Sequence, residues 1–241
     1  MMKSIGRIFF CALLFLGSCK KSTTSGSDNE NLIYSKQFTN TGDENQAEGN
    51  FKSAIENYSF ALSLSPNYAI AYCNRGKVKK ELKDFEGALA DYNKAIEIDP
   101  NLFEPYLNRS VIKGLYQDTI GEESDIRKAL QLNPNFAEGY NALGVVYRKK
   151  GQFEIAIQMY TKAISFQSNN PIFFNNRGMA KRKLFDFDGA LSDYSRAIEL
   201  DPKFSMAYYN RAIAKIKMGD LISAEEDKAL YSEIESMKKL Q

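Results

Sequence analysis

The chain has 241 residues, 44% of them apolar and 26% charged, and a formal net charge of +2. That balance is ordinary for a globular or solenoid fold and excludes a strongly basic nucleic-acid binder. Histidine and tryptophan are absent. The commonest general base and metal ligand at neutral pH is therefore missing, which argues against catalysis and against a zinc site.

The first residues read as a processed leader. Lys3 and Arg7 precede an apolar run from Ile8 to Leu16, and small Gly17 and Ser18 lead to Cys19. The run is a signal-peptide core, too short for a membrane span of about 20 residues. Its ending, Leu16-Gly17-Ser18-Cys19, resembles the lipobox of bacterial lipoproteins, in which the cysteine thiol carries a lipid. The resemblance implies a signal peptide over 1–18, lipidation of Cys19, and a membrane association through the lipid alone. A plain signal peptide with a chance cysteine is the competing reading. Removing 1–18 takes away Lys3 and Arg7 and no carboxylate, leaving 30 basic against 30 acidic side chains, so no nucleic-acid partner is expected. Residues 20–31 are polar and small, and 19–31 is expected to be a lipidated cysteine with a disordered tether reaching ~20 Å.

From about Leu32 apolar residues recur every three or four positions, which predicts helices, and no strand alternation is present. Ala71-Tyr72-Cys73-Asn74-Arg75-Gly76 returns as Phe173-Phe174-Asn175-Asn176-Arg177-Gly178 and as Ala207-Tyr208-Tyr209-Asn210-Arg211-Ala212. Pro66, Pro100, Pro134 and Pro202 are 34, 34 and 68 residues apart, so the period is 34. Gly49, Gly151 and Gly219 fall between helices, and each proline closes the second helix of a pair. Repeats starting near 35, 69, 103, 137, 171 and 205 keep one register without a gap. Small residues fill repeat position 8 (Gly42, Gly76, Ser110, Gly144, Gly178, Ala212) and position 20, save Glu122. Tyr58, Tyr92, Ile126, Tyr160 and Tyr194 occupy position 24. The expectation is that positions 8 and 20 face each other where the helices of a hairpin cross. In the third repeat Thr119 and Glu122 have the spacing of a capping box that delays the second helix, and the alternatives there are tolerated drift, a hinge or a specialised contact. The last segment, 232–239, is expected to cap the array.

This pattern resembles the tetratricopeptide repeat (TPR) over about residues 35–230. The resemblance implies an all-α, right-handed superhelical solenoid of about six helical hairpins over 32–241, with a C-terminal capping helix. It also implies a concave groove lined by first helices, which holds a protein or peptide partner.

One set of residues departs from the family pattern. Position 7 is Arg75, Arg109, Arg177 and Arg211, position 11 is Lys79, Lys113, Lys181 and Lys215, and position 23 is Asp91, Asp125, Asp193 and Asp227. The fourth repeat replaces all three together, with Leu143, Tyr147 and Met159. Positions that change as a set are expected to touch, as a partly buried ion cluster setting hairpin register. A row of ligand-binding cations is the competing reading.

Asn74, Asn108, Asn176 and Asn210 at position 6, with Asn141 and Asn175 beside them, make a row of amides suited to the main chain of an extended peptide. The competing reading is a merely solvated helix face. Lys77, Arg148 and Arg182 add cations, and Met179, Tyr209 and Ile213 add apolar surface toward the C-terminal repeats. The expected ligand therefore carries acidic groups and an apolar anchor. In relatives that bind the ends of cytosolic chaperones, a clamp would occupy Thr39, Asp43, Asn74, Glu104 and Asn108, and only Asn74 fits. Cys73 is read as an inert small residue. No cofactor is implied, and neither a glycine-rich phosphate loop nor a G-x-S-x-G elbow is present. The chain thus reads as a non-enzymatic, lipid-anchored scaffold or adaptor of the bacterial cell envelope, facing the periplasm or the outside. A regulatory subunit of an envelope enzyme and a structural spacer are the alternatives.

Overall fold

The computed structural model describes residues 24–239, and among these the chain is all α, with twelve helices and no strand. They are α1 (Thr24–Ala47), α2 (Phe51–Leu64), α3 (Ala69–Glu81), α4 (Phe85–Ile98), α5 (Phe103–Leu115), α6 (Thr119–Leu132), α7 (Ala137–Lys149), α8 (Phe153–Phe166), α9 (Pro171–Lys183), α10 (Phe187–Leu200), α11 (Ser205–Met218) and α12 (Leu221–Lys239). Consecutive helices pack as hairpins. The chain divides into a first unit up to Tyr68, holding the α1–α2 hairpin, and a second from Ala69, holding the other five. The leader, Cys19 and the start of the tether lie outside the described residues. The helix begins at Thr24, so residues 24–31 are helical where a tether was expected. Asn29 and Glu30 have exposed side chains, and this stretch continues a helix whose later turns are held by packing against α2.

The turn inside every hairpin needs one left-handed residue. Gly49, Gly151 and Gly219 supply it, and Lys83, Gln117 and Phe185 take the same conformation at φ of 62–64° despite their side chains. The next residue is the N-cap of the second helix. The carboxylates of Asp84, Asp118 and Asp186 accept from Gly87, Gly121 and Gly189 N–H at 2.9–3.0 Å. Asp118, rather than Thr119 with Glu122, therefore caps α6, and that helix starts on schedule. At the far end Ala61, Ala95, Ala129, Ala163 and Ala197 carbonyls accept from the C-cap N–H, and proline follows in all but the fourth repeat. There Pro171 instead opens α9, capped by Asn170.

In four hairpins the position-8 glycine lies under the position-24 tyrosine. A methyl group on Gly42, Gly76, Gly144 or Gly178 would sit 2.5–2.8 Å from the facing ring carbon. The tightest contact of the position-8 glycine is therefore with the position-24 tyrosine, and the position-20 alanines Ala54, Ala88, Ala156 and Ala190 are fully buried. The third repeat has Ser110 with Ile126, and the sixth Ala212 with Lys228. Where the tyrosine is gone, the glycine is gone.

The ion clusters form as expected, and those of Arg109, Arg177 and Arg211 span more than their own hairpin. Arg177 Nε and Nη2 donate to both oxygens of Asp193 at 3.0 and 2.7 Å, and Lys181 Nζ lies 2.9 Å from Asp193 Oδ2. The same geometry recurs at Asp91, Asp125 and Asp227, each aspartate nearly fully buried. The guanidinium also lies over the aromatic ring one turn earlier, as Arg177 does over Phe174 at 5.6 Å. Its remaining nitrogen reaches the preceding repeat: Arg109 to Asn93, Arg177 to Thr161, Arg211 to Ser195. In the fourth repeat Leu143, Tyr147 and Met159 fill the same place in one apolar cluster. The clusters are architectural, because both partners are spent on each other.

Candidate functional site

In the second unit neighbouring first helices touch across α3–α5, α7–α9 and α9–α11, and the predicted site residues sort by what they touch there. Asn210 Nδ2 donates to Asn175 Oδ1 at 3.0 Å, and both side chains are buried. Asn176 Nδ2 donates to Asn141 Oδ1 at 2.8 Å. Asn74 Oδ1 accepts from Lys77, and Asn108 Oδ1 accepts from Lys80 of the preceding first helix while its Nδ2 donates to Glu104 O. The amides are thus an inter-helix ladder before they are a ligand ladder. Asn175 and Asn210 are removed from the recognition set by burial. Asn141 Nδ2 and Asn176 Oδ1 keep one donor and one acceptor without a protein partner among the described residues.

Of the predicted apolar residues, Tyr209 and Ile213 share one α11 face, whereas Met179 lies on α9. Met206, Tyr209, Ile213 and Ile216 follow the i, i+3, i+7, i+10 spacing of a single α11 face. Met206 and Tyr209 are 43% and 42% exposed, Ile213 is half-buried, and Ile172 on α9 is 47% exposed beside them. Tyr209 packs on Tyr231 of α12 at 5.2 Å between ring centres. The longer last helix therefore borders this stripe, and Ser205 Oγ binds Glu235 near its end.

Arg148 and Arg182, at position 12 of the fourth and fifth repeats, lie beside the hydroxyls of Tyr160 and Tyr194. Burial pushes both phenols up in pKa, and the neighbouring guanidinium offsets part of that rise. Neither Arg Nε closes a hydrogen bond, and neither do the two phenol oxygens. Lys149 is held by Glu122 at 3.0 Å, an ion pair that sequence reading missed. Its signal was present, since Glu122 stands where every other repeat has alanine; in the structure it crosses the face of Gly114, where a methyl group would sit 2.6 Å from Glu122 Oε1. The third hairpin is thereby bonded to the fourth; Glu123 adds Lys150, Arg127 and Tyr147 and is held below the usual carboxylate range, chiefly by Lys150. Cys73 is buried, and burial pushes its thiol up to about 11, so it is no ready nucleophile. Among the described residues no cluster of three or more Cys, Asp or Glu is placed to hold a metal ion.

Helical hairpins stacked at a 34-residue interval, with first helices side by side, define a helical-repeat solenoid. Tetratricopeptide repeat models match residues 69–102, 137–170 and 171–204, a further TPR repeat model matches 42–83, and another matches 193–226. Together these stretches cover more than half of the chain, which belongs to the tetratricopeptide-repeat family. A comparison with curated proteins finds no significant match. Among solved structures, PilF of Pseudomonas aeruginosa is similar at 16% identity and a TM-score of 0.74, over 87% of this chain and 99% of that one. YrrB, described as a TPR protein with an unusual peptide-binding site, is similar at 23% identity and a TM-score of 0.58, over 73% and 91%. MamA is similar at 25% identity and the same TM-score, over 67% and 95%.

Proposed function

We propose that this chain is a non-catalytic scaffold whose first-helix face holds an extended segment of a protein partner and so assists assembly of a complex. The observation that carries the reading is the α9–α11 face. Exposed Ile172 stands one helical turn before Asn176, whose acceptor is open, and exposed Met206 and Tyr209 stand on the neighbouring first helix. Apolar anchors beside main-chain-matching amides are what an extended peptide requires. Cationic Arg148 and Arg182 on the adjoining turns favour acidic groups in that partner. The description of YrrB as carrying a peptide-binding site supports the same use of the fold. We propose further that the scaffold is held on a membrane of the bacterial cell envelope through a lipid on Cys19, a reading supported by the lipobox-like Leu16-Gly17-Ser18-Cys19 motif.

The test is affinity capture from envelope extract with the full chain, compared with an Ile172→Ser, Met206→Ser, Tyr209→Ser variant checked for unchanged melting temperature. Loss of a specific partner supports the reading. Identical capture moves recognition away from this face. In cell fractionation, Cys19→Ser is expected to shift the protein from the membrane pellet to the soluble fraction, and an unchanged pellet would remove the lipid anchor.

A further inference from the structure

The arginines of the described residues divide into two kinds. Arg75, Arg109, Arg177 and Arg211 are each clamped by an aspartate, Arg127 by Glu123 and Arg196 by Glu199. Arg148 and Arg182 alone among them have no carboxylate partner, and these two line one recess. The recess has a volume of about 240 Å³ and is also lined by Lys149, Lys183, Phe153 and Met179. No carboxylate lines it. Lys183 is likewise unpaired, whereas Lys149 shares its charge with Glu122. Both Arg Nε atoms are buried beside the Tyr160 and Tyr194 hydroxyls, so the charge of each guanidinium is met by a neutral phenol and by no carboxylate.

We infer that this recess seats one oxyanion carried on a short aliphatic stem, as in a glutamate or a phosphoserine side chain of the bound segment. The guanidiniums offer planar, charge-assisted donors from two neighbouring repeats. Phe153 and Met179 give the stem an apolar wall. A partly enclosed site strengthens the attraction relative to open water, and the four cations set its sign. The site differs from the chaperone-type clamp considered above, because its four cations stand at repeat positions 12 and 13 of the first helices. The inference rests on the first-helix face being a polypeptide-binding surface, but the recess can be tested alone.

The full chain is titrated calorimetrically, at low ionic strength, with N-acetyl-glutamate amide, N-acetyl-phosphoserine amide and N-acetyl-glutamine amide. The expected result is saturable binding of at least one anion, none of the glutamine probe, and a loss of about tenfold or more in Arg148→Lys and Arg182→Lys. The Arg196→Lys variant is expected to bind like the parent. Binding of glutamate alone assigns a carboxylate partner, and binding of phosphoserine alone assigns a phosphorylated one. No anion binding, or binding indifferent to both arginine variants, overturns the inference. Because the lysine variants keep the charge, their melting temperatures separate lost recognition from lost folding. Failure here with partner capture intact would remove the recess and leave the apolar face standing.

Discussion

The Tyr194 ring lies against Gly178 so closely that a single added methyl group meets it at 2.8 Å. The ring is fully buried, so it cannot swing into solvent to relieve the clash. Gly178→Ala is expected to cost about 1–3 kcal/mol, the usual range for overpacking. With Tyr194→Ile in the background the clash is gone and the helix-propensity gain of alanine, up to about 1 kcal/mol, remains. The cost of Gly178→Ala should then disappear in chemical denaturation, giving a coupling of at least about 0.5 kcal/mol. Additive effects would show that the ring is not what excludes the side chain. This coupling was legible in the chain, since Ser110 stands with Ile126 and Ala212 with Lys228. The Asn175–Asn210 pair was less legible, because repetition at one position looks the same for a ligand ladder and an inter-helix ladder. Only burial separates them.

At the scale of helices, the arginine–lysine–aspartate cluster does what a small apolar contact cannot. It ties both helices of a hairpin and the preceding hairpin through one guanidinium. Asp193→Ala would leave Arg177 and Lys181, both partly buried, without their counter-charge. The cost is expected at about 2–4 kcal/mol, toward the lower side for a buried pair because the cations keep some contact with water. The melting temperature should fall while anion binding at the Arg148–Arg182 recess persists at temperatures where the variant is folded. Asp227 gives a pH signature. Burial alone would raise its pKa, but hydrogen bonds from Arg211 and Lys215 outweigh it and hold the group below its ordinary 3.8. A carboxyl depressed in the folded state stabilises above its unfolded pKa, and that contribution is lost as pH falls through the folded value. Wild-type stability should therefore drop below about pH 4 more steeply than that of Asp227→Asn. This cluster was readable from sequence because the fourth repeat changes all three members at once. The tie to the preceding repeat was not, because Asn93, Thr161 and Ser195 share a position but no residue type.

For the molecule as a whole, the period of 34 announced the hairpins, their turns and their order, since each repeat must meet the same packing demands. Function was less legible, because recognition sits where repeats differ and is not enforced by the fold. The third repeat shows the difference. Its Glu122 departs from the small-residue rule, yet the departure serves a bond to Lys149 rather than a hinge. What remains after such structural uses are subtracted is the apolar stripe of α9 and α11, the open amide pair, and the recess of Arg148 and Arg182. The most direct test of the proposed recognition face is site-specific photocrosslinking in the cell envelope. A photoreactive phenylalanine at Ile172 or at Met206, on the first-helix face, should yield a discrete adduct with a polypeptide. The same group at Arg196, an exposed second-helix position, should yield none. Adducts from position 196 with none from 172 or 206 would contradict the account.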